Sequence, residues 1–137
     1  MYFSKHLLLA ALLLLPAAAA APDPALGREL LNKAEERKAL INFFASTKGK
    51  KKWIKTGGWK DPPYVEKDHC GWFGITCNDE GSVIDINLPA NGLKGKLSED
   101  LAALTSLEEL FLQDNALRGT LPAALAALTS LTVLFLQ

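Results

Sequence analysis

The segment LEELFLQDNALRGTLP, residues 107–122, decides the fold because its residue types recur elsewhere in the chain at a fixed offset. The offset is 24 residues, from 83 to 107 and from 107 to 131. The matched apolar positions are Val83, Ile86 and Leu88, then Leu107, Leu110 and Leu112, then Leu131, Leu134 and Leu136. Self-similarity at a fixed period in this range is typical of a solenoid, in which each unit buries its apolar face against the next.

The repeated unit predicts one short strand followed by a turn. Leu110 and Leu112 are expected to point inward and Phe111 outward, because side chains alternate along a strand. Stacked copies would pair into a parallel sheet and share one core. Asn91 and Asn115 follow the strands, where an amide with both donor and acceptor can satisfy backbone groups that a turn leaves unpaired. We therefore predict structural roles for both asparagines.

The pattern L-x-x-L-x-L-x-x-N-x-L is the leucine-rich pattern, and residues 107–130 resemble a plant-type extracellular leucine-rich repeat. In that subfamily the L-x-G-x-[IL]-P portion, here residues 117–122, forms a second strand. The first repeat departs from it, since Ser98 stands where Pro is expected. Residues 36–88 resemble the N-terminal cap of the same proteins, above all through CGWFGITC at residues 70–77.

This resemblance implies an α/β fold: a leucine-rich repeat solenoid with parallel strands, preceded by a helical, disulfide-containing N-terminal cap. The expected organisation is a signal peptide at residues 1–20, a cap region at 21–82 and repeats at 83–137, two complete and a third truncated. Within the cap, Asn32 with Glu35 three residues later predicts a helix start. That helix is expected to end near residues 47–49.

Cys70 and Cys77 are the only cysteines. In a cap element of this type, and in an exported chain, an even cysteine count favours a disulfide. Zinc is the competing interpretation, because His69 is adjacent. A structural zinc site requires four ligands, and the chain after processing offers two Cys and one His. We predict the disulfide and no metal or other cofactor.

The N-terminus predicts export. Lys5 and His6 precede an apolar run of nine residues, 7–15, and an Ala tract follows Pro16. These are the regions of a signal peptide, with cleavage expected after Ala20. The run is too short to span a bilayer, which takes about 20 apolar residues. We therefore expect no membrane span in this chain, passage through the secretory pathway, and an extracellular or cell-surface location.

Charge and motifs argue against several functions. The formal net charge is zero, so no nucleic-acid partner is indicated. The sequence has no G-x-S-x-G motif, no phosphate-binding glycine loop and no paired carboxylates at a convincing cleft position, so we predict no catalytic residues and no enzyme activity. Six lysines, with no acidic residue between the first and the last, form a cluster that is either a solvated loop or an anion-binding patch. They are Lys48, Lys50, Lys51, Lys52, Lys55 and Lys60.

The predicted function is extracellular ligand recognition, as the start of a receptor-like ectodomain that binds a peptide, protein or polysaccharide. The outward strand positions would line its concave face. The candidate ligand-binding residues are Asp85, Asn87, Glu109, Phe111, Gln113, Val133 and Phe135. Phe111 and Phe135 are in register, and they are either an aromatic anchor for a ligand or a ladder that stiffens the sheet.

The alternative function is that of a secreted inhibitor or cell-wall-binding protein resembling the polygalacturonase-inhibiting proteins, which share this cap and repeat type. The true C-terminus would discriminate the two functions. The chain stops at Gln137, before the Asn expected in its third repeat. We therefore expect it to be the first part of a longer protein.

Overall fold

The structure, a computed structural model, describes residues 23–60 and 68–137. The chain divides into two units, residues 1–30 and 31–137, and the described part of the first comprises residues 23–30. The predicted signal peptide and its cleavage site lie outside the described residues. Within the described ranges, no helix is both long enough and apolar enough to cross a membrane.

Helix α1 runs from Pro24 to Ser46, so its predicted start at Asn32 is wrong. The Asp23 carboxylate accepts a hydrogen bond of 2.9 Å from the Ala25 amide, which is the role of an N-capping side chain. Pro24 then occupies the first helical position, where its fixed φ suits the helix and its missing N–H costs nothing. The helix ends close to the predicted place, and a short helix α2 follows at Gly49–Lys52.

The repeats form a parallel sheet. Strands β2 (Val83–Asn87), β4 (Glu109–Phe111) and β6 (Val133–Phe135) pair in register at the 24-residue offset. The cap contributes β1 (Ile75–Cys77), which pairs antiparallel with β2 and makes the order β1-β2-β4-β6. The predicted α/β solenoid with parallel strands is confirmed.

A second sheet has two strands, one following each of the first two repeat turns. It joins β3 (Lys94–Gly95) in parallel to β5 (Ala116–Leu117). The resemblance implied a second strand at residues 117–122, and β5 overlaps that range only at Leu117. The chain then returns through 3-10 helices at Glu99–Ala103 and Ala123–Ala127. Ser98, the residue that replaces Pro, caps the first of these by accepting a hydrogen bond of 3.2 Å from the Asp100 amide.

The core is continuous from the cap through the first two repeat layers. Ile86 and Leu110, which are aligned on β2 and β4, are both 0% exposed. The corresponding Leu134 on β6 is 41% exposed. The cap side of the core is aromatic and includes Phe43, Phe44, Trp53, Trp59 and Trp72. Each layer is therefore buried only where a neighbouring layer or the cap covers it.

A buried polar contact ties the cap helix to the first repeat. The Glu36 carboxylate accepts one hydrogen bond from the Val83 amide, at 3.2 Å. It also lies 3.3 Å from His69 Nε2. All three residues are buried, so the carboxylate satisfies a strand amide that would otherwise lack a partner. This contact fixes the helix against the start of β2.

The Cys70–Cys77 disulfide is present in the structure, with a Cα–Cα distance of 5.5 Å. It closes the loop between the 3-10 helix His69–Gly71 and the end of β1. The side chain of Trp72, inside this loop, is buried in the core. The cap is therefore helical and disulfide-containing, as the sequence predicts.

Candidate functional site

One face of the parallel sheet carries the aligned side chains of Asp85, Glu109 and Val133, which we call the acid row. Strand pairing aligns Asp85 of β2 with Glu109 of β4 and Val133 of β6. On the other side of β2, Thr76 of the cap strand β1 is aligned with Asp85. Neighbouring strands lie about 4.8 Å apart. The two carboxyl groups thus stand side by side on one face of the sheet.

A second row lies two residues further along the same strands, and we call it the Phe row. It consists of Asn87, Phe111 and Phe135, one from each parallel strand. The two phenyl rings are stacked, with centroids 5.6 Å apart and planes at 12°. Phe135 is 55% exposed and Phe111 is half-buried, so the stack offers an apolar surface to solvent. Residues two apart on a strand are separated by about 7 Å, which sets the distance between the two rows.

The electrostatics of the acid row centre on Asp85. Burial raises the pKa of its carboxyl group, and the neighbouring charge of Glu109 raises it further. A hydrogen bond from Thr76 acts in the opposite direction and is the smallest of the three effects. Both leading causes disfavour the ionised form. A cation placed between the two carboxylates would offset their repulsion and favour the ionised form.

Two acceptor atoms on the predicted site residues are left without partners. Among the described residues, nothing donates a hydrogen bond to Oδ1 of Asp85 or to Oε1 of Gln113, and both atoms are buried. A buried acceptor without a donor costs about 1–3 kcal/mol.

The structure brings six of the seven predicted ligand-binding residues into the two rows. Gln113 is the exception, because it follows the end of β4 and lies two residues beyond Phe111. The sequence analysis missed Thr76, which joins the acid row from the cap. No repeat signal could have found it, since β1 lies outside the 24-residue period and pairs antiparallel.

Asn115 forms hydrogen bonds within the solenoid. Its Oδ1 accepts from the amides of Asn91 (3.0 Å) and Leu93 (2.9 Å), one repeat earlier. Its Nδ2 donates to the carbonyls of Leu88 and Leu112, each at 2.8 Å. This side chain satisfies backbone groups of two consecutive turns, which is a structural role.

Asn91 makes the equivalent contacts to the cap. Its Oδ1 accepts from the amide of Lys55 (2.7 Å), and its Nδ2 donates to the Lys55 carbonyl (3.0 Å). Its backbone carbonyl also accepts from the Ile54 amide at 3.0 Å. The cap segment at residues 54–55 therefore takes the place that a preceding repeat would fill.

His69, Cys70 and Cys77 are close enough to suggest a metal site, with ligand atoms within 4.8 Å of one another. The two sulfur atoms are joined in the disulfide, so they cannot act as thiolate ligands. His69 Nε2 is engaged by Glu36 at 3.3 Å. This group of side chains serves the cap structurally.

The lysine cluster lies outside both rows. Each of its six lysines is exposed to solvent. Lys55 places its ammonium nitrogen 5.2 Å from the centre of the Phe73 ring, within cation–π distance. Whether the lysine cluster is a solvated loop or an anion-binding patch therefore depends on the surroundings of the five lysines other than Lys55.

Comparison with known proteins finds plant receptor-like kinases. The chain is 36% identical over 90 residues to "Receptor-like protein kinase BRI1-like 3" of Arabidopsis thaliana, a match that covers 64% of this chain and 8% of that protein. It is 32% identical over 90 residues to "Serine/threonine-protein kinase BRI1-like 1" of the same organism, again over 64% and 8%. The chain thus spans about a twelfth of these relatives. No protein-family model matches it.

Solved structures support the fold. The leucine-rich repeat ectodomain of the receptor kinase SOBIR1 from Arabidopsis thaliana is similar with a TM-score of 0.57 and 22% identity, over 75% of this chain and 53% of that one. The PEPR1 chain in a crystal structure of PEPR1-AtPEP1 is similar with a TM-score of 0.51 and 22% identity, over 74% and 17%. At this identity the likeness establishes the leucine-rich repeat fold.

Proposed function

We propose that the chain, which is similar to plant extracellular leucine-rich repeat proteins, is an extracellular ligand-recognition module whose concave sheet binds a peptide or protein segment. Relatives that are receptor-like kinases and structural neighbours that are ectodomains support a binding or interaction module rather than an enzyme. The same surface would serve a receptor ectodomain or a secreted inhibitor.

The observation that carries this proposal is the pair of parallel rows on one face. A ligand lying across the strands meets carboxylates at Asp85 and Glu109 and, about 7 Å away, the stacked rings of Phe111 and Phe135. A basic group suits the first row and an aromatic or large apolar group suits the second. Aromatic side chains and Arg are also the residues that most often dominate binding energy at interfaces.

The aligned carboxyl groups of Asp85 and Glu109 favour a ligand rich in N–H donors. A peptide supplies amide groups along its backbone, and an Arg or Lys side chain supplies charged donors. Charge-assisted hydrogen bonds are roughly twice as strong as neutral ones. An acidic polysaccharide would instead place carboxylates against the acid row, where like charges repel. We therefore favour a basic peptide over a pectin-like ligand at this face.

Export to an oxidising compartment is part of the proposal. The Cys70–Cys77 disulfide supports it, because such bonds persist mainly outside the cytosol. Intact-mass measurement of material secreted by a eukaryotic host should show a chain that starts near Ala21 and is two hydrogens lighter than the reduced form. Retention of Met1, or two thiols that alkylate without denaturant, would contradict export.

The binding proposal is tested with a displayed library of linear peptides. Peptides selected on the folded, oxidised chain should be enriched in Lys or Arg together with aromatic residues. Replacing Phe111 or Phe135 by Ala should weaken the selected peptides by about 1–3 kcal/mol each, and Glu109→Gln should weaken the basic ones.

The matched control is the triple variant Lys50→Gln, Lys51→Gln, Lys52→Gln, which removes three charges away from the sheet. It should leave the affinity of the selected peptides nearly unchanged at physiological salt, where exposed charges are screened. The reverse pattern, sensitivity to the lysines and none to the phenylalanines, would contradict the concave-face assignment and favour an anionic polysaccharide.

A further inference from the structure

The cap contains a pocket of about 760 Å³ that plays no part in the concave face. Its lining includes residues of α1, of α2 and of the segments around Trp59 and Trp72. None of the strand residues of the acid row or the Phe row contributes to it. Pockets that hold small molecules typically have volumes of about 300–1,000 Å³, so this cap pocket is of suitable size.

One wall of the cap pocket is aromatic. Trp59 stacks on Phe44, with centroids 5.8 Å apart and planes at 25°, and it contacts Trp72 with centroids 5.0 Å apart. All three side chains are anchored in the hydrophobic core. The Trp59 Nε1–H donates to the Phe73 carbonyl at 2.8 Å, which fixes the orientation of its ring. The three side chains are 4–6% exposed, and the parts that reach the pocket form a rigid apolar wall.

The shape of this wall depends on Gly49. A Cβ atom at Gly49 would collide with the Phe44 ring, so the ring lies directly against the backbone at the start of α2. This close approach leaves Lys50 and Lys51 of α2 among the lining residues of the pocket. The aromatic wall and two cationic side chains are therefore held next to each other.

The charged residues that line the pocket in the described part of the chain are all lysines. Four exposed lysines contribute to the lining, and among the described residues that line the pocket there is no carboxylate. They are Lys48, Lys50, Lys51 and Lys60. Cations grouped without an acid repel one another, and an anion placed among them relieves that repulsion. Lys52 and Lys55 belong to the same cluster but do not line the pocket.

We propose that the cap pocket binds a small aromatic carboxylate, with the ring against Phe44, Trp59 and Trp72 and the carboxylate among the lysines. The proposal combines an apolar wall for a ring with four lining lysines for one negative charge. It does not depend on what binds the concave face. It also assigns the lysine cluster two parts, one that lines a pocket and one that does not.

The probe is 2-naphthoate, titrated against the full oxidised chain and followed by tryptophan fluorescence. Binding should be saturable with one site, and the neutral isostere 2-naphthamide should bind about tenfold more weakly, because it lacks the charge that the lysines recognise. Equal binding of acid and amide, or no saturable change, would overturn the proposal.

Two double variants with equal charge loss test the position of the site. Lys50→Gln with Lys51→Gln should weaken 2-naphthoate about fivefold or more, since two lining cations are lost. Lys52→Gln with Lys55→Gln should change its affinity by less than about twofold, because screened charges outside the pocket contribute little. Equal losses in the two double variants would show diffuse attraction to the cluster and would overturn the assignment.

Intermolecular NOEs locate the ring independently of any variant. The naphthoate protons should show contacts to the ring protons of Phe44, Trp59 or Trp72. Contacts to Phe111 and Phe135 instead would place the probe on the Phe row and overturn the cap-pocket proposal. That outcome would leave the concave-face proposal standing, so the two can fail separately.

Discussion

Asn115 accepts a hydrogen bond from the backbone amide of Asn91, the residue that holds the same position one repeat earlier, at 3.0 Å. It also accepts from the Leu93 amide and donates to the carbonyls of Leu88 and Leu112. The bonds connect two consecutive turns through one side chain. The loss of this amide leaves several backbone groups without partners in both turns.

The first prediction concerns this side chain. Asn115→Ala should lower the free energy of unfolding by about 1–3 kcal/mol, because half-buried amides and carbonyls lose their partner. Asn87→Ala, at an exposed asparagine on the concave face, should cost less than about 0.5 kcal/mol. Urea denaturation followed by tryptophan fluorescence compares the two. Equal costs would contradict the structural role of Asn115.

The second prediction compares glycines at the same repeat position. Gly95 (φ 130°) and Gly119 (φ 87°) both adopt a backbone conformation that side chains disfavour. A Cβ at Gly95 would collide with the Ser46 carbonyl oxygen at the end of α1, whereas at Gly119 it would meet only the Lys96 side chain at 3.4 Å.

Gly95→Ala should therefore destabilise the protein clearly more than Gly119→Ala, which costs about 1 kcal/mol for its backbone conformation alone. Thermal unfolding of the two variants measures the difference. A smaller effect at Gly95 would show that the cap helix is not packed against the first repeat as described.

The third prediction is a pH dependence at Asp85. Burial and Glu109 raise the pKa of its carboxyl group in the folded protein. As the pH rises from the pKa of the unfolded chain through the higher pKa of the folded protein, Asp85 therefore destabilises the folded state. At low pH both states are protonated and the penalty is absent. Asp85→Asn should thus stabilise the protein at neutral pH and have little effect near pH 3.

Glu109→Gln checks the cause of that shift. It removes the neighbouring charge, so an NMR titration should show a lower pKa for Asp85 than in the unaltered chain. An unchanged pKa would mean that burial alone accounts for the shift. Destabilisation by Asp85→Asn at neutral pH would contradict the assigned sign.

The fourth prediction concerns the disulfide. The bond closes a short loop, with a sequence separation of 7 residues, and should contribute about 2–3 kcal/mol on the loop-entropy estimate. The double variant Cys70→Ser with Cys77→Ser should lower the unfolding midpoint accordingly. Reduction of the unaltered chain should give the same shift, and reduction of the double variant should give none.

The fifth prediction concerns β6, whose outer edge pairs with no strand among the described residues. Leu134 there is 41% exposed, while Leu110 of the preceding strand is 0% exposed. An open, partly apolar edge promotes pairing with another chain. The processed chain, residues 21–137, should self-associate in light scattering at micromolar concentration. Appending consensus repeats and a C-terminal cap should make it monomeric and raise its unfolding midpoint, whereas a cooperatively folded monomer without them would contradict the expectation.

The repeated part of the fold could be predicted from the sequence because one period fixes many contacts. Once 83, 107 and 131 are matched, the pairing of Asp85 with Glu109 and of Phe111 with Phe135 follows from the offset. The sequence alone therefore predicts that the two carboxyl groups lie side by side. It does not predict the raised pKa of Asp85, because that shift depends on burial.

The cap could be predicted only in outline. The Asn32–Glu35 pattern predicts a helix start at Asn32, but Asp23, followed by Pro24, provides an equally suitable cap nine residues earlier. Propensity alone does not decide between two valid signals. Thr76 and the cap pocket were missed for another reason. They arise from contacts between segments that share no period, such as those around Phe44 and Trp72.

The antiparallel strand β1 forms the first edge of the four-stranded sheet. It occupies the edge beside β2, so further parallel strands can join only beyond β6. The corner formed by Thr76, Asp85 and Glu109 would therefore keep its shape in proteins that carry this cap with any number of repeats. The number of repeats and the binding residues at the capped end can then change independently in evolution.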